Sequence, residues 1–189
     1  MILKIIGEQV KKVSKEDFKL EKDLQLFVET NIKYLLGLEL VKSEFTIEDY
    51  RFDTLAFDKE NEAFVIIEYK RGNSYSVIDQ GYSYLATMLN NKAEVILEFN
   101  ESLGKSLKRN EVEWSQSRAI FISQGFTKYQ KDSLNFKDLP IELYEIKRYE
   151  EGLLSFEEIK GKKNSESIKT IAPSDEKTDK VTREIKKYT

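Results

Sequence analysis

The chain is 189 residues long, 40% hydrophobic and 34% charged, with a formal net charge of −3 and neither cysteine nor histidine. Those two absences exclude disulfides, thiolate and imidazole metal sites, cysteine nucleophiles and serine–histidine triads, which leaves carboxylates, lysines, tyrosines and an oxygen-preferring metal such as Mg2+. With no long apolar run and no basic-then-apolar leader, the composition predicts a soluble, cytoplasmic protein, with one well-packed domain over 1–159.

"MILKIIG" predicts a short strand. A helical pattern follows from about Lys15 to Leu36, with Phe18, Leu24, Phe27, Val28, Ile32, Leu35 and Leu36 recurring at three and four, Ser14 and Asp17 as a capping box, and Gly37 as its end. Three strands are predicted next, at Glu39–Thr46, Tyr50–Asp58 and Ala63–Lys70, the polar "DKENE" joining the last two as antiparallel neighbours. After the "RGNS" turn, Val77–Asn90 reads as a helix carrying Ile78, Tyr82, Leu85 and Met88 or Leu89 toward the core. "KAEVILEFN" fits both periods, with helix preferred. "SRAIFISQG" reads as a buried strand, "FTKYQKDSLNF" as a helix capped by Thr127 and Gln130, and "PIELYEIKRYE" as a further strand. From residue 160 the apolar period vanishes, which predicts a flexible polar tail or linker over 160–189.

Charge is unevenly shared. Residues 160–189 hold nine Lys or Arg against five Asp or Glu, so the tail is at +4 and the remainder at −7. An acidic body weighs against tight non-specific phosphate binding, although metal-binding acids contribute to the same count.

The stretch "RFDTLAFDKENEAFVIIEYKRG" raises a chemical question, because it sets charges at the ends of two strongly apolar runs, where an unpartnered charge is costly. On a strand, Glu68 and Lys70 share one face while Ile67 and Tyr69 take the other. If "DKENE" closes a hairpin, positions summing to about 120 face each other, which sets Asp53 opposite Ile67, one step from Glu68. Two carboxylates and an ammonium then meet at one end of a sheet. Asp53 and Glu68 make a hard-oxygen site suited to Mg2+, with Mn2+ as its substitute, and Lys70 lies within reach of water or a phosphate there. The competing reading is that these are solvated charges or a satisfied ion pair at strand ends.

The order helix, three antiparallel strands, helix, strand, with Asp53 on the second strand and Glu68-Tyr69-Lys70 on the third, resembles the PD-(D/E)xK nuclease superfamily over about Leu20 to Ser123. More closely, "LEKDLQLFVETNIKYLLGLELVKSEF", "RFDTLAFD", "IIEYKR" and "DQGYSYL" resemble the nuclease-like domain of bacterial and archaeal proteins labelled predicted transport proteins. They are similar, more distantly, to the catalytic domain of the NucS endonucleases. The resemblance implies an α/β restriction-endonuclease-like fold of three layers, with a central mixed sheet of four to five strands flanked by helices. It also implies a metal-dependent nuclease on DNA, endonuclease rather than exonuclease, with RNA left open as substrate. In that family Asp53, Glu68 and the backbone carbonyl of Tyr69 would hold the metal, and Lys70 would position water or phosphate. Gln80 matches the glutamine of the following helix and Glu21 the glutamate of the first. Phe52 stands where the superfamily name has proline.

Glu44 and Tyr84 are further candidates, Tyr84 lying one turn from Gln80 on the face next to Lys70. Arg51 and Arg71 are candidate phosphate contacts, or plain surface charges. Tyr75, Tyr82 and Tyr84 read as packing in the core or cleft, and Trp114 as an anchor for the loop before the last core strand. The alternative function is a catalytically silent domain that binds nucleic acid or a partner protein. A transport role finds no membrane element to support it. A homodimer and a further C-terminal domain are compatible with the resemblance.

Overall fold

In a computed structural model that describes residues 1–71, 77–135 and 139–161, a mixed seven-stranded sheet is packed between helices on both faces. Strands β4 (Glu39–Ile47), β5 (Tyr50–Asp58) and β6 (Ala63–Lys70) form an antiparallel meander. The turn from β5 to β6 is set by Asp58, whose Oδ1 accepts the backbone N–H groups of Glu60 and Asn61 at 3.0 and 3.1 Å. An Asx side chain that takes the following amides is a local reason for the chain to reverse there. Strand β7 (Arg118–Ser123) then runs parallel to β6, and β8 (Ile141–Tyr149) parallel to β7.

Every residue of β6 from Ala63 to Tyr69 is buried, as expected of a central strand covered on both faces. On one face, α1 (Glu21–Thr30) and α2 (Ile32–Leu36) bring Leu24, Val28 and Ile32 against Val65, Ile67, Tyr69, Ile120 and Ile122. On the other, α3 (Val77–Asn90) and α4 (Lys92–Leu103) bring Tyr84, Leu85, Met88, Val95 and Phe99 against Phe52, Phe57, Phe64, Ile66 and Phe121. Gly81 lets α3 lie close, since a Cβ there would come within 3.1 Å of Ile141 Cδ1 and Phe121 Cε2. The three predicted strands of the meander, the helices at 77–90 and 92–103, and the helix α5 (Lys128–Ser133) capped by Thr127 and Gln130 are all present. Trp114 stacks on Phe64 with ring centroids 5.5 Å apart in the turn before β7. No helix among the described residues is long and apolar enough to cross a membrane.

Several expectations are corrected. The helix expected from Lys15 begins at Glu21, because Lys15–Glu16 forms a short strand, β3, on β8, and Gln124 binds both the N–H and the carbonyl of Phe18. Ser14 is no cap, its carbonyl accepting from Glu150 N instead; Asp23 reaches back to the N–H of Leu20. The helix also breaks at Asn31, with φ −112° and ψ 12°, before ending on left-handed Gly37. The sheet exceeds the expected four to five strands because β3 and β9 (Leu153–Ile159) add to β8. The first strand, β1 (Leu3–Ile6), pairs with β2 (Gln9–Lys12) in a separate, exposed hairpin. On α3 the buried stripe is Gly81, Tyr84, Leu85 and Met88; Tyr82 and Leu89 are 43% and 37% exposed, as their positions beside that stripe dictate. The β5–β6 register sets Thr54, not Asp53, opposite Ile67. The expected tail lies, from residue 162 on, outside the described residues, as do Tyr75, residues 72–74 of the "RGNS" turn and Phe136.

Candidate active site

The register makes the site. The β5–β6 ladder ends at Thr54 and Ile67, so Asp53 and Glu68 lie just past the last paired residues. There the Asp53 side chain replaces a strand as hydrogen-bond partner, its Oδ2 accepting the Tyr69 N–H at 3.1 Å. Glu68 is only 6% exposed. Its Oε1 accepts from Lys70 Nζ at 3.0 Å and from Gln80 Nε2 at 2.8 Å, while Oε2 is buried with no hydrogen-bond partner among the described residues. Gln80 also donates to Tyr84 OH at 2.7 Å, and Tyr84 OH to the Arg51 carbonyl at 3.3 Å. α3 is thereby tied to β5 and β6.

Electrostatics follow from this burial. Desolvation pushes the Glu68 carboxyl above its ordinary range and the Asp53 charge adds to the shift, against the pull of Lys70 and Gln80. Desolvation likewise raises Asp53, with Glu21 adding to it, against the Tyr69 N–H, Lys70 and Arg51. Tyr84 is raised by burial and by both carboxylates. A buried acid with an orphaned oxygen and a half-buried one beside it, both resisting ionisation, form a pair that a cation would relieve. Among the described residues no group of three or more acidic, histidine or cysteine side chains comes together. The donor set is therefore two carboxylates, and it fits Mg2+, which uses one or two carboxylates and keeps several waters.

The remaining candidates divide. Glu21 reaches the edge of the site, its Oε1 accepting the Arg71 N–H at 2.8 Å. Glu44, at φ 54°, is exposed and ion-paired with Lys22, away from these hydrogen bonds. Arg51 and Arg71 are exposed, the Arg71 guanidinium donating to the Lys19 carbonyl at 2.5 Å.

A buried polar layer behind Asp53 goes beyond the residues expected from sequence. Gln25, 5% exposed, directs Nε2 to the Asp53 carbonyl at 2.9 Å, Glu29 Oε1 at 3.0 Å and Ser43 Oγ at 3.1 Å. Thr54 Oγ1 donates to Glu29 Oε1 at 2.5 Å and meets Tyr69 OH at 3.1 Å. The signal was present in α1, where Glu21, Gln25 and Glu29 repeat every four residues and Gln25 stands between the apolar Leu24 and Val28.

No family model matches the chain. An uncharacterized protein of Haemophilus influenzae is 46% identical over 180 residues, 95% of this chain but 60% of that protein, so the chain spans less than two thirds of its relative's length. Among solved structures, a repair endonuclease from Pyrococcus abyssi aligns with a TM-score of 0.43 and 17% identity over 70% of this chain and 49% of that one. EndoMS in complex with dsDNA gives 0.39 and 16% over 69% and 47%. Pyrococcus furiosus SfsA in complex with Ca2+ gives 0.38 and 14% over 74% and 64%.

Proposed function

We propose that this chain is a metal-dependent nuclease hydrolysing phosphodiester bonds in DNA. The observation that carries the reading is Glu68, a buried carboxylate with one oxygen fixed by Lys70 and Gln80 and the other without a partner among the described residues, beside a second raised acid, Asp53. Asp53, Glu68 and the Tyr69 carbonyl would hold Mg2+ or Mn2+. A bound Mg2+ supplies Lewis acidity toward the phosphate and makes water more acidic.

The chain's own groups do the rest. Gln80, braced by Tyr84, fixes the Glu68 rotamer, and Lys70 holds a positive charge where the ester phosphate would build up negative charge. Water oxygen forms the new bond to phosphorus as the ester oxygen leaves. With no histidine in the chain, the proton of the attacking water, which Lys70 helps to position, passes to a carboxylate or to a phosphate oxygen, and the rate rises toward alkaline pH. DNA as substrate comes from the sequence resemblance.

The test is cleavage of labelled single- and double-stranded DNA and RNA with Mg2+, Mn2+ or EDTA. Metal-dependent cutting is expected, lost in Glu68→Ala and reduced about 10²-fold or more in Lys70→Ala, the scale of one general acid–base or electrostatic group. A parent inert on every substrate with both metals sinks the reading in favour of a catalytically silent binding domain, which the acidic body favours.

A further inference from the structure

A cleft of about 490 Å³ opens at the carboxyl ends of β6 and β7, lined by Lys15, Asp17, Phe18, Lys19, Arg71 and Gln124. Its position follows from the register. Lys70 pairs with Ser123, so Arg71 and Gln124, the next residue on each strand, form one wall immediately beyond Lys70. The opposite wall is the extended segment 15–19, held in place by Gln124, which takes the Phe18 N–H at 3.0 Å and donates back to its carbonyl at 3.3 Å. Arg71 is anchored through its own N–H to Glu21 at 2.8 Å and through one guanidinium N–H to the Lys19 carbonyl at 2.5 Å. Four of its five side-chain donors have no partner among the described residues. The outer ends of parallel strands in α/β sheets are where ligands characteristically bind, and the volume falls within the usual range of about 300–1,000 Å³ for ligand sites.

Charge selects the ligand class. Asp17 is neutralised by Lys15 at 2.9 Å, whereas Lys19 and Arg71 form no carboxylate ion pair among the described residues. Among the described residues two uncompensated cations thus stand just past the strand end that carries Glu68 and Lys70, on a body that is otherwise strongly acidic. In the neighbouring depression Glu16 is paired with Arg148 at 3.1 Å, and Asp17 with Lys15, so Lys19 faces Asp23 alone there. We infer that this cleft binds the phosphodiester backbone of the strand to be cut, on one side of the scissile position, with Lys19 and Arg71 contacting phosphates. The inference rests on the nuclease reading and extends it to Lys15, Lys19 and Gln124.

The test is the anisotropy of a labelled 20-nucleotide DNA, single-stranded or in duplex, titrated with protein in EDTA between 20 and 200 mM NaCl. Lys19→Gln/Arg71→Gln should weaken binding at least tenfold at the lowest salt. It should also reduce the slope of log K against log salt by about 1.4 on the single strand or about 1.8 on duplex, the value for two lost phosphate contacts. Lys108→Gln/Arg109→Gln is the control, since the turn at Arg109–Glu111 lies toward the other end of the sheet, where Glu113 N bonds Glu62 O ahead of β6. Its slope should match the parent's. A parent that fails to bind at 20 mM NaCl, a cleft variant with the parent's slope, or a control that loses as much as the cleft variant overturns the inference. Because neither metal nor cleavage enters this readout, metal-dependent cutting with an unchanged slope removes the cleft alone. A lost slope in a protein that never cuts removes the nuclease reading alone.

Discussion

Glu68→Gln separates a metal centre from an ordinary buried ion pair. In metal-free protein the substitution removes the buried member of two adjacent acids but also the charge that pairs with Lys70 at 3.0 Å, so the two Coulomb effects largely oppose. The raised Glu68 carboxyl shows that burial and Asp53 outweigh Lys70 and Gln80. The net effect should be a gain in Tm at neutral pH, at the scale of about 2–4 °C for each kcal/mol in a domain of this size. Its pH dependence is definite in sign. Between the unfolded carboxylate value and the raised folded one, the native state binds more protons than the unfolded chain. Parent stability therefore falls as pH climbs through that interval. Glu142, also raised by burial, contributes equally to parent and variant, so the difference between their curves isolates Glu68. Metal reverses the ranking, because a cation at 100 times its Kd stabilises the parent by about 2.7 kcal/mol, or about 5–11 °C. The variant, with one carboxylate left, should gain less than a third of that. Thermal unfolding from pH 5 to 8 in EDTA, Mg2+ and Mn2+ measures all of this. A parent Tm indifferent to both metals, or a variant that responds as strongly, would refute the argument.

Gln25→Ala should cost about 1–3 kcal/mol, the scale for a buried group left unpaired, here the Asp53 carbonyl; it should also shrink the metal-induced Tm shift, whereas loss of stability with the full metal response would show that Gln25 has no part in placing Asp53. Asp58 behaves oppositely to Glu68. Burial raises its carboxyl, but Asn61 and Arg118 outweigh that and leave it below the ordinary range. Its stabilising contribution is present above the unfolded value and lost as pH falls through the depressed one, so Asp58→Asn should flatten the acid limb of the Tm–pH curve, and an unchanged limb would count against the Arg118 pairing.

The meander was legible because its signals are local. Tyr50–Asp58 and Ala63–Lys70 are apolar runs bounded by a polar turn, and both strand limits stand as read. The helix start was not, because Phe18 continues the period of α1 while its backbone is held by Gln124, more than a hundred residues away. The same limit hid Gln25. Its stripe with Glu21 and Glu29 is visible in the sequence, but a polar residue on a helix reads as solvated until the strand beneath it is known to end its ladder there. The approach of Asp53 to Glu68 survived a register error of one residue only because the carboxylate acts from the first unpaired position rather than from within the ladder.

That position makes Asp53 a structural acceptor as well as a candidate metal ligand, and the two roles separate by substitution. Tyr69 is 1% exposed, and its N–H is taken by Asp53 Oδ2 at 3.1 Å. Asp53→Asn can present its amide oxygen to the same N–H while removing the charge that burial opposes, so in EDTA at neutral pH it should melt at or above the parent. Asp53→Ala also removes the charge, but leaves the N–H of the buried Tyr69 without its acceptor, at a cost of about 1–3 kcal/mol. With about 2–4 °C per kcal/mol at this size, the alanine variant should melt at least about 2 °C below the asparagine variant, though both lose one carboxylate of the pair and most of the response to Mg2+. Equal melting temperatures for the two would mean that the Tyr69 N–H does not depend on Asp53, and the account of why the acid stands at the end of the ladder would fail even if the metal site held.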